Sequence, residues 1–237
     1  MRLDKFLCEM NLGTRSQVKA WIRQGLVGVN GVSVKSADTK IDEDSDQITL
    51  RGQALSYRKY VYYMLHKPVG VVSATNDNTA KTVISLLGDH GSGNLFPVGR
   101  LDKDSTGLLL LTNDGELAHL LLSPKRHVDK TYQVTVEHML SDQDIHRLEQ
   151  GVDIGEEKPT LPARISVLDE NTVLITIHEG RFHQVKRMLQ AVDNRVTALK
   201  RIRFGGLELD ETLPPGSYRE LTEQEITILQ NVKTSAT

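Results

Sequence analysis

Four consecutive leucines, Leu108 to Leu111, constrain this chain more than any other stretch. A run that apolar is a core strand, and it follows directly on the polar segment GRLDKDSTG, residues 99–107. A polar loop anchored on a rigid apolar strand is a way to hold a reactive carboxylate still. The same spacing serves equally for a surface turn that happens to precede a core strand. A third reading is a calcium loop, because Asp102, Asp104 and Gly107 match D-x-D-x-x-G. That motif needs a bidentate Glu at its twelfth position, where this chain has Asn113, and its fifth position is Thr106, a poor ligand. The calcium reading fails.

At 237 residues there is room for one large domain or two smaller ones. No apolar run approaches the length of a membrane span, and MRLDKFL lacks the apolar core of a signal peptide. A single cysteine, Cys8, excludes an internal disulfide and any cysteine-based metal cluster, so the cytoplasm is the expected compartment. The net charge of −2 argues at first sight against nucleic acid. Residues 1–40, however, carry seven Lys and Arg against Asp4, Glu9 and Asp38, a local +4 that leaves −6 for the remainder. That asymmetry is what a basic binding module attached to a larger body produces.

Leu3, Phe6, Leu7 and Met10 fall at helical spacing, with Gly13 suited to a left-handed cap. Thr14 and Gln17 then form a capping-box pattern for a second helix ending at Gly25, in which Val18, Trp21 and Ile22 face the core. Arg15, Lys19 and Arg23 recur every four residues and make one basic stripe. Val27–Val29 and Val32–Val34 flank Asn30-Gly31, a strong hairpin signal. On spacing alone the stripe is as well a solvated helix face; the segment charge turns the reading toward phosphate contact. MRLDKFL and TRSQVKAWIRQGLVGVNGVSVK resemble the S4 RNA-binding domain over residues 1–48. The resemblance implies that Arg2, Lys5, Arg15, Arg23 and Lys35 contact structured RNA.

Residues 49–59 read as a linker and 60–237 as a second domain. Strand patterns occur at 61–65, 71–73, 133–136, 163–168, 172–178 and 195–204. His66–Gly70 reads as a turn, and helices are expected at 82–87, 116–122, from Ser141 to near Gly151, within 179–192 and at 223–229. Hairpins mixed with helices, without βαβ alternation, predict an α+β fold with a mainly antiparallel sheet.

The eight His residues show no zinc spacing, and there is no P-loop, dinucleotide fingerprint or G-x-S-x-G elbow. What remains is one carboxylate-bearing loop and a set of basic and aromatic partners, with no cofactor apparatus. A carboxylate can act as a nucleophile at an anomeric carbon if a nearby cation keeps it ionised, and Arg181, Lys186 and Arg187 are on offer. Spacing alone leaves those three as well a solvated basic face.

GRLDKDSTGLLLLTNDG, KTY and EGRFHQVKRM, in that order, with HKPVG upstream, are similar to the sequence blocks of RNA pseudouridine synthases over residues 60–230. HQVKRM is closer to the enzymes of the small ribosomal subunit than to those of the large one. The resemblance implies isomerisation of a uridine in ribosomal RNA, of 16S type, free or in an assembling particle, by a cytoplasmic monomer without metal or cofactor. It implies Asp102 as nucleophile, Tyr132 as the ring against the target uracil and Lys186 as the cation paired with Asp102. Arg100, Leu101, His183 and Arg187 are implied to bind the substrate nucleotide. Rival readings are an inert synthase body serving as an RNA-binding assembly factor, and a synthase acting on 23S RNA.

Overall fold

The computed structural model describes residues 1–10, 12–43, 45–55, 59–91 and 94–232. The chain forms two compact units, one built on Met1–Tyr60 and one on Val61–Gly91 with the chain from Leu95 onward.

In the first unit, α1 (Leu3–Glu9) and α2 (Arg15–Arg23) share a core with a sheet of β1 (Val27–Val29), β2 (Val32–Val34), β3 (Ile48–Leu50) and β4 (Gln53–Ala54). The strand order is β2-β1-β3-β4. Thr14 and Gln17 close the expected capping box. Asn30 and Gly31 both take positive φ, 51° and 80°, the backbone a type I′ hairpin turn requires. Two expectations are corrected. Gly13 is not left-handed; a Cβ there would lie 2.7 Å from the Trp21 ring, so the position is small for space. Trp21 accordingly covers Gly13 and is only half-buried. Residues 49–59 are not a linker along their whole length, because Thr49, Leu50 and β4 pair into this sheet. The turn between β3 and β4 was hidden because Arg51, an unusual residue at φ 52°, precedes Gly52. Residues 56–58 of that stretch, and 233–237 of the second domain, lie outside the described residues.

The second unit is a sheet of β5 (Tyr62–Lys67), β6 (Phe96–Pro97), β7 (Thr106–Thr112), β8 (Lys130–Val136), β9 (Arg164–Asp169), β10 (Thr172–Ile177), β11 (Val196–Phe204), β12 (Leu207–Glu208) and β13 (Tyr218–Glu220). Its helices are α3 (Gly115–Leu122), α4 (Asp142–Gln150), α5 (Gln184–Gln190) and α6 (Glu223–Gln230). Strand order is β13-β5-β7-β11-β8-β10-β9, with β6 against β7 and β12 against β11. The fold is α+β as expected. All these pairs are antiparallel except β7–β11, which run parallel and meet only at Thr106 opposite Lys200 and Gly107 opposite Arg201. No helix among the described residues is long and apolar enough to cross a membrane.

The leucine run is the body of β7, and all four leucines are fully buried. Leu109 and Leu111 join one core layer with Leu65, Val134 and Met188, while Leu108 and Leu110 join the other with Met64, Leu121 and Phe204. A strand covered on both faces has no polar side to alternate with, which is why the run is continuous. His66 and Lys67, expected in a turn, instead end β5 as buried residues opposite Leu108 and Gly107. A residue before proline is pushed toward extended backbone, so Lys67-Pro68 ends a strand as readily as it opens a turn. The helix expected at 82–87 is a 3₁₀ segment, Ile84–Gly91, broken at Gly88.

Gly107 is where the parallel pair closes. Its φ is 106°, and a Cβ there would fall 2.2 Å from the Arg201 carbonyl oxygen and 2.6 Å from its amide nitrogen. Gly107→Ala should therefore cost at least about 2 kcal/mol, read as a lowered Tm.

Candidate active site

The loop between Leu101 and Ser105 is held by its backbone. The buried Lys67 ammonium donates to the carbonyls of Asp102 (2.9 Å), Ser105 (2.8 Å) and Pro68 (3.0 Å), so each of its three protons has an acceptor. Burial pushes the Lys67 pKa down to about 8, against the upward pull of Asp102 and Asp104. Ser73 pins both backbone groups of Leu101, accepting from its amide at 3.0 Å and donating to its carbonyl at 2.8 Å. The Gly70 amide donates to the Lys103 carbonyl at 2.8 Å. With its main chain tied at three successive residues, the loop leaves the Asp102 side chain to other partners.

Those partners come from α5 and the turn before it. Lys186 Nζ lies 3.0 Å from Asp102 Oδ2, and His183 Nε2 lies 3.5 Å from Oδ1. Lys186 also contacts Asp104 Oδ1 at 2.6 Å. Burial works against the Lys186 charge, but its hydrogen bonds to Asp104 and Asp102 outweigh it and raise the pKa. The hydrogen bond from Lys186 also holds Asp104 below the usual carboxylate range. A point-like ammonium can serve two carboxylates in this way, without the planar fork of an arginine. Val185, Met188 and Leu189 anchor α5 in the core, which leaves Lys186 on the outer face toward the loop.

Arg187 and Arg181 do other work. One residue on in a helix is about 100° around the axis. Arg187 accordingly turns away from Asp102, to Glu156 Oε1 (2.6 Å) and the carbonyls of Phe182 (3.0 Å) and Ile154. Arg181 binds Glu179 Oε2 (2.9 Å) and the carbonyls of Lys158 (2.6 Å) and Pro159 (2.8 Å). Together they strap residues 154–159 to the turn before α5. The structure places Arg187, implied to bind substrate, in this strap and not among the residues lining the cavity at Asp102. Of the three cations, Lys186 is the one that reaches Asp102.

Asp102, Leu101, Arg100, Tyr132 and His183 all line one cavity of about 810 Å³. Tyr132, only 8% exposed, stands on β8 opposite Arg201 and Ile175. Arg100 is exposed and Leu101 buried. For three residues here the sequence reading gives no individual site role: Lys67, Ser73 and the buried Arg201. Arg201 donates from Nε to the Leu108 carbonyl at 2.8 Å and lies 5.0 Å over the Phe204 ring. Each looks like an ordinary surface residue until its distant partner is known.

In the first unit, Arg2, Lys5, Arg15, Arg23 and Lys35 are all exposed. Arg2 is paired with Asp4 at 2.8 Å and Lys5 with Glu9 at 3.5 Å, whereas Arg15, Lys19 and Arg23 have no carboxylate partner among the described residues.

Known proteins match both units. The S4 domain pattern covers residues 1–48, and the RNA pseudouridylate synthase pattern covers residues 61–191, which include Asp102, Tyr132 and Lys186. An uncharacterized RNA pseudouridine synthase of Bacillus subtilis (strain 168) is 47% identical, over 97% of this chain and 98% of its own. The ribosomal small subunit pseudouridine synthase A of Vibrio cholerae is 42% identical, over 95% of this chain and 98% of its own. A crystal structure of a pseudouridylate synthase superposes with a TM-score of 0.69 at 41% identity, over 97% of this chain and 99% of that one. A tethered aspartate paired with a lysine in a cavity beside a buried tyrosine, on a chain matched this fully, has one consistent assignment: the chain belongs to the RNA pseudouridine synthase family, with an S4 domain at its N-terminal end.

Proposed function

We propose that this chain converts a specific uridine of small-subunit ribosomal RNA to pseudouridine, with Asp102 as nucleophile acting on a nucleotide flipped out of its stack. The observation that carries the reading is the Asp102–Lys186 pair at 3.0 Å, on a loop whose backbone Lys67 fixes from below. A carboxylate nucleophile works ionised, and Lys186 supplies its counter-charge. Small-subunit RNA is favoured by the named function of relatives such as the Vibrio cholerae enzyme and by the HQVKRM block.

Extruding the uridine costs a few kcal/mol, less where the base is already unpaired. The Tyr132 ring offers the freed uracil a π-face, a contact worth ~1–3 kcal/mol per base. The C1′–N1 bond then breaks with its electron pair leaving on uracil. Asp102 either adds to C1′ or assists loss of the C2′ proton. The base turns within the cavity and C5 bonds to C1′ as the Asp102–C1′ bond breaks or, on the other route, as C2′ regains its proton. C5 then gives up its proton and N1 takes one up, so the product is an isomer of the substrate. The base is not released, so it must stay enclosed throughout; at about 810 Å³ the cavity has room for a nucleoside to turn.

Purified protein incubated with small-subunit rRNA, as transcript and as assembling particle, should give pseudouridine at one position by chemical modification and primer extension. Product found only in large-subunit RNA would overturn the substrate. In the first unit, charge reversal of the exposed Arg15 and Arg23 should weaken RNA binding and make its dependence on log salt shallower by roughly 1–2 units. An unchanged slope would move the phosphate contacts elsewhere.

A further inference from the structure

We propose that the outer face of Phe182 is a stacking platform for the RNA base next to the target uridine. This rests on the reading that RNA enters the cavity at Asp102. An exposed phenylalanine by itself is ordinary. This one is 67% exposed, yet its other face is stacked on the His183 imidazole, centroids 3.8 Å apart and planes 19° apart. His183 in turn lies 3.5 Å from Asp102 Oδ1, and both rings line the cavity. The result is a two-ring stack in which the edge of the inner ring lies near the proposed nucleophile and the outer ring is exposed.

The segment that carries it is held in place. His183 sits in the left-handed region at φ 49°, a conformation a non-glycine residue keeps only where its surroundings hold it. The Arg187 guanidinium donates to the Phe182 carbonyl at 3.0 Å, and Arg181 is clamped to the carbonyls of Lys158 and Pro159. A rigid, half-covered ring loses little freedom when a base lands on it. Arg100 and Lys103, exposed on the same cavity, supply positive charge for the flanking phosphates. Tyr132, 8% exposed, is the ring deep enough for the target uracil, so Phe182 is left for its neighbour. Every base has a π-face, and the platform therefore tolerates any base there.

The test uses the full chain and a single-stranded ribo-oligonucleotide centred on uridine, with 2-aminopurine on either side of it. Wild type and F182Y should quench the 2-aminopurine on binding. F182A and F182L should lose the quench and bind about 5- to 100-fold more weakly, with Tm unchanged because the side chain is exposed. F182L keeps apolar bulk without a ring, so quenching and affinity equal to wild type in F182L would overturn the platform. So would probe bound by wild type without any quench. If ribosomal RNA went unmodified while this signature held, the substrate reading would fail and the platform would stand.

Discussion

Asp102→Asn should fold, bind RNA with wild-type affinity and form no pseudouridine, a loss of roughly 10⁴-fold or more in turnover. The variant is a clean one because of how Lys186 is shared. With Asp102 neutral, the half-buried ammonium keeps Asp104 at 2.6 Å, so it is not left without a carboxylate and α5 has no reason to shift. The loop is tied through main-chain carbonyls of Asp102 and Ser105, which the substitution does not touch. A Tm within a degree or two of wild type, with no product on mapped ribosomal RNA, is the expected pair of results. Near-wild-type product from purified D102N would remove Asp102 from the chemistry.

Lys67→Met tests the support beneath it. Methionine fills similar space but leaves three carbonyls without their donor. Unsatisfied buried acceptors cost ~1–3 kcal/mol each. Release of a buried charge offsets part of that, leaving a net loss of about 2–4 kcal/mol. Turnover should fall about 10²-fold, since displacements near 1 Å of a reacting group cost that much. The pH dependence separates this from simple destabilisation. The folded-state pKa of Lys67, about 8, lies below the ordinary 10.5. Between those values the unfolded chain binds more protons than the folded one, so stability rises with pH across that window and is flat below it. K67M should lose much of that slope, keeping the share from Lys130, which burial also pushes down to about 8. Turnover runs the other way. A neutral amine has two protons for three carbonyls, so wild-type turnover should fall as pH passes about 8, and K67M should show no such limb. A matching limb in K67M would assign the titration to another group.

What could be read from the sequence was local. The Thr14–Gln17 and Ser141–Asp144 caps and the Asn30-Gly31 turn depend on residues within a few positions of one another. The leucine strand announced itself because it is buried on both faces. What could not be read depends on distant chain. Lys67 looked like part of a turn because its acceptor Ser105 is 38 residues away. Arg187 looked like a candidate for substrate, and nothing near it in sequence points to Glu156. Asp104 invited comparison with a calcium loop, yet its partner is an ammonium 82 residues on. Spacing alone could not choose Lys186 over the arginines beside it. The family resemblance made that choice, and the helix geometry gives the physical reason.

The two-residue parallel contact between β7 and β11 also bears on the order in which the protein assembles. On one side of it β5, β6 and β7 join into a half-sheet, and on the other β8, β9, β10 and β11 join into a second. Asp102 belongs to the first half, Tyr132 and Lys186 to the second. The seam closes segments 93 residues apart, as in the Arg201–Leu108 hydrogen bond, and such closure comes late because its entropy must be met before the contact rewards it. A chain with both half-sheets formed but the seam open has its carboxylate and its cation apart and, on the proposed mechanism, is chemically silent. In refolding, recovery of pseudouridine formation should trail recovery of β-structure, and a half-made enzyme would leave RNA untouched.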